Sequence, residues 1–431
     1  MATGITEQAA GCEGIVTTRW KSKRDVGQTC DARFLLRRRM NRAETTTRSR
    51  VEADAASLRT AQNEHGYIAA AVQTDRIDEL AKEWAHLFAS VEGVSPFLSP
   101  SWNRPFLDHR VHGWKTMFLT VHHARHLVVV LPLKIRSVAG VQIAEPLTTG
   151  EPSYLGVLVA PGHEEGLTVL VEYVRQQRVF DIYRIKDLAS IDKATHRFLT
   201  LLGEQGYASW QKDRRPCCAI TLGMSFDEYL RVTKSTKRRS KLRNEEKRLH
   251  QWAQVAVEHY EGAEVTKEVL RRVVAIQQAS WMKRRGAAVL GQPFYQELLG
   301  ELAESGILHV WIQRLNEKDA AFVIGLVNGN RLQYYRTAFD LSLAGSMSVG
   351  KMLTMHVIRE ACERGISWFD FGHGRAEYKD FWATETYAVK WALVGRGMRG
   401  RLVMLGSILA LELSQNQLLH KIWRHWKAWR Q

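Results

Sequence analysis

The sequence predicts an α/β (α+β) protein organised in two domains. Three observations lead there. The chain has 431 residues, more than a single hydrophobic core usually serves. Strand patterns follow one another at Ile307–Leu315, Ala320–Asn328 and Leu332–Phe339, joined by Asn-Glu-Lys-Asp and Asn-Gly-Asn, and these connections suit antiparallel hairpins. The last strand then enters a small-residue turn (Ala344–Gly350), a helix pattern (Lys351–Glu363) and a short aromatic strand (Ser367–Phe371). That order puts the turn at a helix N-terminus. Unpaired N–H groups and the positive end of the helix dipole make such a turn a place for an anion, for example a pyrophosphate.

Composition narrows the class. Apolar residues make up 45% of the chain and charged residues 25%, the balance of a globular protein. The net charge of +16 suits an anionic partner: a phosphorylated cofactor, nucleic acid, a membrane surface or an acidic polymer. Simple solubility is the alternative. Cys12, Cys30, Cys217, Cys218 and Cys362 are scattered and include no Cys-x-x-Cys pair. This argues against a disulfide framework or a structural zinc site and fits a reducing cytosol. No signal-peptide core is visible, and the longest apolar run, Leu402–Leu411, is interrupted by Gly406 and Ser407, well short of a bilayer span.

Residues 1–64 are rich in Thr, Ala, Arg and Gly, with a basic run at Arg37, Arg38 and Arg39, and read as a disordered basic extension. Residues 65–224 read as a first α/β domain. In Asp75–Ser90 the spacing of Ile77, Leu80, Trp84 and Leu87 is helical. Pro96–Leu107 reads as an aromatic, proline-rich loop. Strands are expected at Thr116–Val121, Leu127–Arg136, Val141–Leu147 and Phe180–Leu188, with helices at Leu167–Gln177 and Asp192–Gly203. His122, His123 and His126 fall at a hairpin turn, which favours exposed turn histidines over a metal site.

Residues 225–398 read as the second domain. Ser225–Trp252 forms one long polar helix pattern carrying Lys237, Arg238, Arg239, Lys241, Arg243, Lys247 and Arg248. It is either a solvated linker or an anion-binding face, and Glu245 and Glu246 argue against a dedicated nucleic-acid stripe. A strand at Val255–Tyr260 and helices at Thr266–Trp281 and Pro293–Ser305 precede the meander, and Tyr387–Val394 is a closing strand. Residues 399–431 read as an amphipathic basic helix whose end interleaves Trp423 and Trp426 with Arg424 and Lys427, suited to packing or to peripheral membrane contact.

Meander, small-residue turn, helix and strand, in this order, resemble the core of GNAT-type acyltransferases. The detailed residues resemble the CelD-type branch, found beside cellulose and exopolysaccharide biosynthesis genes. The motifs are Pro-Phe-Leu-Ser-Pro-Ser-Trp at 96–102, the basic helix after Phe226–Leu230, Trp281 with Arg285 and Gly286, and Phe339-Asp340. Ser348-Val349-Gly350, Asp370-Phe371 with Gly374, Tyr378-Lys379 and Trp382 complete them. Val349 departs from the Ser-Pro-Gly common in the family's turn.

The resemblance covers residues 75–395 and implies tandem GNAT-like domains, each a mixed, mainly antiparallel sheet flanked by helices, in a FemAB-like arrangement whose first domain is a degenerate sister of the second. It implies acetyl or acyl transfer from acyl-coenzyme A to an amine or hydroxyl of a sugar, polysaccharide precursor or small metabolite, in the cytoplasm and without metal. The pantetheine would lie beside Ala338, and the pyrophosphate would meet the N–H groups of Met347, Ser348, Val349, Gly350 and Lys351. Tyr378 is the candidate acid toward the leaving thiolate. Asp370 and His373 are candidates to orient or deprotonate the acceptor, and Trp281, Tyr335 and Trp382 to line its pocket. The alternatives are FemAB-like aminoacyl transfer from charged tRNA, the one reading that expects nucleic acid, and a non-catalytic module in exopolysaccharide biosynthesis.

Overall fold

The computed structural model of the chain describes residues 61–74, 77–151, 154–344 and 347–415. Most of the expected N-terminal extension, and the Trp-rich end of the expected last helix, lie outside the described residues.

A single 14-stranded sheet runs through the described chain in the order β1-β2-β3-β4-β5-β7-β14-β8-β13-β12-β11-β10-β9, with β6 paired to β4. One flank is made of β1 (Ala61–Gln62), β2 (Tyr67–Gln73), β3 (Lys115–His123), β4 (His126–Val138), β5 (Val141–Pro146), β6 (Leu158–Val159) and β7 (Ile182–Ala189). The other holds β9 (Val255–Glu261), β10 (Leu308–Leu315), β11 (Lys318–Asn328), β12 (Arg331–Phe339) and β13 (Trp368–His373). The pairings β5–β7 and β12–β13 are parallel, and the remaining named pairings are antiparallel, as the mixed-sheet expectation requires. Between the flanks two strands change places. β14 (Glu385–Gly395), the last strand, lies between β7 and β8, and β8 (Ala208–Thr221) carries the sheet onward to β13.

Local sequence accounts for these elements. The continuous apolar run of β4 is buried from Leu127 to Ile135, as a strand covered on both faces requires. The β3–β4 turn places Ala124 and Arg125 at φ 48° and 68°, and the β10–β11 turn places Asn316 and Glu317 at 47° and 63°. Two successive left-handed residues form the turn whose twist matches a hairpin. Helices α1 (Ile77–Ser90), α2 (Pro100–His109), α3 (Glu165–Gln177) and α4 (Lys193–Glu204) accompany the first flank. The second carries α5 (Phe226–Thr233), α6 (Thr236–Trp252), α7 (Lys267–Ala279), α8 (Trp281–Arg284), α9 (Pro293–Glu304), α10 (Leu341–Ala344), α11 (Val349–Glu363) and α12 (Glu377–Trp382), and α13 (Gly397–Gln415) follows β14.

Two expectations change. The aromatic, proline-rich stretch is mostly helix α2, not loop. Pro100 stands in the first turn, where its missing N–H costs nothing, and Ser99 Oγ caps the helix by accepting from Trp102 N at 3.1 Å. Trp102 and Phe106 are then buried on one side. The single long polar helix is two helices. Lys234 is extended (φ −125°, ψ 136°), and Ser235 restarts the chain as the N-cap of α6. Within α6 the two signs are separated by direction. Glu245 pairs with Lys351 at 2.7 Å and Glu246 with Arg359 at 3.1 Å, both on α11, while Lys237, Arg238, Lys241, Arg243, Lys247 and Arg248 face solvent.

The helices cover the sheet over two large cores and one small one, Val141, Ile143 and Ile182. One large core is centred on Trp84, Trp102, Phe118 and Phe198, the other on Tyr229, Trp311, Phe369 and Trp382. Among the described residues no helix is long and apolar enough to cross a membrane.

Candidate active site

Parallel strands β12 and β13 pair over only three positions, from Arg331 opposite Trp368 to Gln333 opposite Asp370. Beyond them β12 stays with β11 as far as Phe339, and β13 follows β8, with His373 opposite Cys217. The strands therefore part, and the facing edges of Tyr334–Ala338 and Phe371–His373 share no ladder. Helix α11 connects the two strands, so its N-terminus lies at the end where they part, the usual ligand position in a parallel β-α-β unit. A Cβ at Gly350 would stand 3.1 Å from Phe339 Cδ1, which shows how closely the helix start packs on the end of β12. Ser348, the N-cap of α11, makes no side-chain cap bond, and its first N–H groups have no partner within the helix.

A cavity of ≈ 210 Å³ occupies the parting. Its walls are Gln333–Arg336 of β12, Phe371–His373 of β13 and Lys379 of α12, with Phe97, Tyr154 and Arg215 from the first 224 residues. The charged side chains on the wall are cationic. Arg336 is answered from behind by buried Glu151, whose Oε1 is 2.6 Å from Arg336 and accepts from Tyr335 Oη at 3.1 Å. Glu151 Oε2 accepts from Tyr295 Oη at 2.8 Å. Two polar atoms of the wall residues, Gln333 Oε1 and Arg336 Nε, are buried without a hydrogen-bond partner.

Asp370 lies under the cavity floor and is fully buried. Its Oδ1 accepts from Tyr154 Oη at 2.8 Å, Gly372 N at 2.8 Å and Gln333 Nε2 at 3.4 Å. Its Oδ2 accepts from Arg331 at 2.9 Å, Trp368 Nε1 at 3.4 Å and the Tyr387 hydroxyl. A carboxylate offers about four lone-pair sites, so this one is saturated. It positions the wall and holds no site open for an acceptor. Burial and its negative charge push the hydroxyls of Tyr154 and Tyr387 well up. Burial, followed by the same carboxylate, raises the Cys217 thiol to about 12, so this cysteine is no thiolate nucleophile at neutral pH.

His373 is on the wall, its ring 5.3 Å from that of Tyr154. Burial lowers its pKa, against the opposing pull of Asp187 and Asp370, so its imidazole is neutral at pH 7 and able to accept a proton. Tyr378 stands one layer behind the wall, 6.2 Å from the Phe371 ring and 6.5 Å from that of Tyr334. Burial raises its pKa, so its hydroxyl can only give a proton.

The remaining predicted residues divide. Tyr335 lines the cavity, and Ala338, Met347, Ser348, Val349 and Gly350 mark the end of β12 and the start of α11. Lys351 is engaged by Glu245 and lies 4.8 Å from the Phe381 ring centre. Trp382 is buried in the second core, and Trp281 is a surface residue stacked with Arg285; neither lines the cavity. Sequence reasoning missed Glu151, Tyr154, Arg215 and Arg336. The one local signal was Arg336 following two tyrosines in a strand with no exposed residue.

Residues 236–380 match the family model of the acetyltransferase (GNAT) domain, a span that contains β12, α11 and β13. No curated protein matches the sequence. Among solved structures, FemX is similar at 14% identity and a TM-score of 0.54, over 72% of this chain and 95% of its own. The C-terminal domain of a putative lysylphosphatidylglycerol synthetase from Agrobacterium fabrum aligns at 13% identity and a TM-score of 0.48, over 77% of this chain and 96% of that one. A tandem GNAT protein from the clavulanic acid biosynthesis pathway aligns at 12% and 0.39, over 75% and 98%. Residues 236–380 are thus similar to the acetyltransferase (GNAT) domain, and the fold around them is similar to that of FemX.

Proposed function

We propose that the chain is an acyl-coenzyme A-dependent acyltransferase acting on an amine or hydroxyl of a sugar, polysaccharide precursor or small metabolite. The observation that carries the reading is the parting of β12 and β13 at the N-terminus of α11. The thioester enters between the strands, where unpaired backbone groups of Tyr334–Ala338 receive the pantetheine. The pyrophosphate meets the N–H groups of Ser348–Lys351; the Met347 N–H expected to join them already donates to Ala344 O at 2.9 Å. The acceptor occupies the cavity between Tyr154, Tyr335 and His373. Its nucleophile attacks the thioester carbon while His373 takes its proton. The C–S bond breaks, and Tyr378 protonates the thiolate after rotation or through a water. The halves 65–224 and 225–398 are read as a degenerate and an active copy of one unit.

The supporting experiment is a thermal shift with acetyl-coenzyme A. At about 100 times Kd, a bound cosubstrate stabilises by roughly 2.7 kcal/mol. The shift is expected in the wild type and absent from Gly350→Trp, whose side chain, directed at Phe339, pushes the start of α11 away from the end of β12. A second reading, aminoacyl transfer from charged tRNA, is favoured by the solvent-facing cations of α6. Stabilisation by tRNA with a steep salt dependence, and none by acetyl-coenzyme A, would replace the first reading with the second.

A further inference from the structure

Helix α13 is anchored along one side. Gly400 packs so closely that a Cβ would meet Asp181 O at 2.8 Å, Met404 is buried, and Val403 packs on the small core of Val141, Ile143 and Ile182. Its other side is apolar and, among the described residues, exposed. Met398, Leu402, Leu405, Leu409 and Leu413 are 80%, 61%, 52%, 62% and 56% exposed. Their spacing of three and four residues makes one stripe along the helix. Isolated exposed leucines are ordinary, but a continuous stripe marks an interaction surface.

Charge decides what covers it. Arg399 and Arg401 flank the stripe and are exposed. The only acidic side chain of α13 is Glu412, already paired with Lys212. The sequence continues with Trp423, Trp426 and Trp429 interleaved with Lys421, Arg424, Lys427 and Arg430. Two copies of the chain meeting through this helix would bring like charges together. An anionic bilayer neutralises them, and tryptophans beside basic residues are the composition of a membrane interface. The helix does not meet the requirement for a span, so it lies along the surface.

We propose that α13 docks the protein on an anionic lipid surface, with the Met398–Leu413 stripe entering the headgroup boundary and Arg399 and Arg401 beside lipid phosphates. This is independent of the acyltransferase reading. The test is co-sedimentation of the full-length chain with vesicles of phosphatidylcholine alone and of phosphatidylcholine with phosphatidylserine, for the wild type and Leu405→Gln/Leu409→Gln. Both positions are exposed, so the variant keeps its melting temperature. Binding to the phosphatidylserine vesicles is expected, weaker at high salt and reduced about tenfold or more in the variant. Three outcomes would overturn the proposal: no vesicle binding, equal binding by the variant, or a wild-type dimer in solution that the variant makes monomeric without any change in vesicle binding.

Discussion

Six donors converge on the Asp370 carboxylate, and one of them, Tyr154, lies 216 residues away in sequence. The sequence singled out Asp370 for chemistry; the structure makes it the joint between the cavity's two walls. Removing one partner of a buried ion pair strands the other, so Asp370→Ala should cost about 3–5 kcal/mol. Urea denaturation reads this as a lower midpoint. A catalytic base lost without structural cost would leave the midpoint in place and lower only turnover. For Tyr378 the opposite split is expected. Its raised pKa keeps the hydroxyl protonated through the working range, so Tyr378→Phe should lower kcat by roughly 100-fold and leave KM within about twofold. Equal losses in stability and no loss in kcat would make it a packing residue. Asp370 and Tyr378 were legible because they sit in short motifs beside the strand end. Glu151 and Tyr154 were not, because nothing local marks a loop carboxylate or tyrosine whose partners lie on a distant strand.

At the scale of elements, periodicity gave strands and long helices to within a few residues, since burial imposes that periodicity directly. It failed where a cap decides. Ser99 and Ser235 start helices that the apolar pattern alone does not reveal, one through a proline-rich stretch and one after an extended lysine. The β9–β10 edge adds a pH dependence that no pattern foretold. His309 contacts His259 at 3.0 Å and is 3.7 Å from Glu261, and Arg364 bonds both His259 and Glu261. These histidines and Glu261 have metal-ligand proximity, but Glu261 and His259 Nδ1 are already bonded to the Arg364 guanidinium. Burial, then the neighbouring His259, lowers His309 to about 4 from its ordinary 6.5. The unfolded chain therefore binds the proton first as pH falls. Stability contributed by neutral His309 is whole above 6.5 and declines between 6.5 and about 4. His309→Gln should flatten the fall of melting temperature across that window, as followed by circular dichroism; an unchanged slope would assign the acid sensitivity to other groups.

For the molecule as a whole, the mixed α/β sheet was readable from the meander and the β-α-β order, but its continuity was not. Sequence suggested a boundary at residue 224. In the fold, β14 crosses back to pair with β7 and β8, and β8 crosses forward to β13. No local pattern encodes which strand a distant segment will join. The physical consequence is shared stability. Residues 225–398 expressed alone would leave β13 without β8 and β14 without either neighbour, so this fragment should be unfolded or aggregated. The full chain should melt in one transition by calorimetry. A soluble, cooperatively melting fragment would show that the exchange contributes little.

That exchange also sets an order of events during synthesis. β7 and β8 are complete long before β14, and each presents an open edge to the slot β14 will fill. At ordinary translation rates the ribosome needs on the order of ten seconds or more to make the intervening chain. Throughout that interval the nascent protein exposes two unpaired strand edges, the feature most prone to capture by another chain. Its yield in cells should therefore depend on holding chaperones more than its final stability would suggest, and slowing translation after β8 should increase aggregation of a protein that, once β14 is in place, has no gap left in the middle of its sheet.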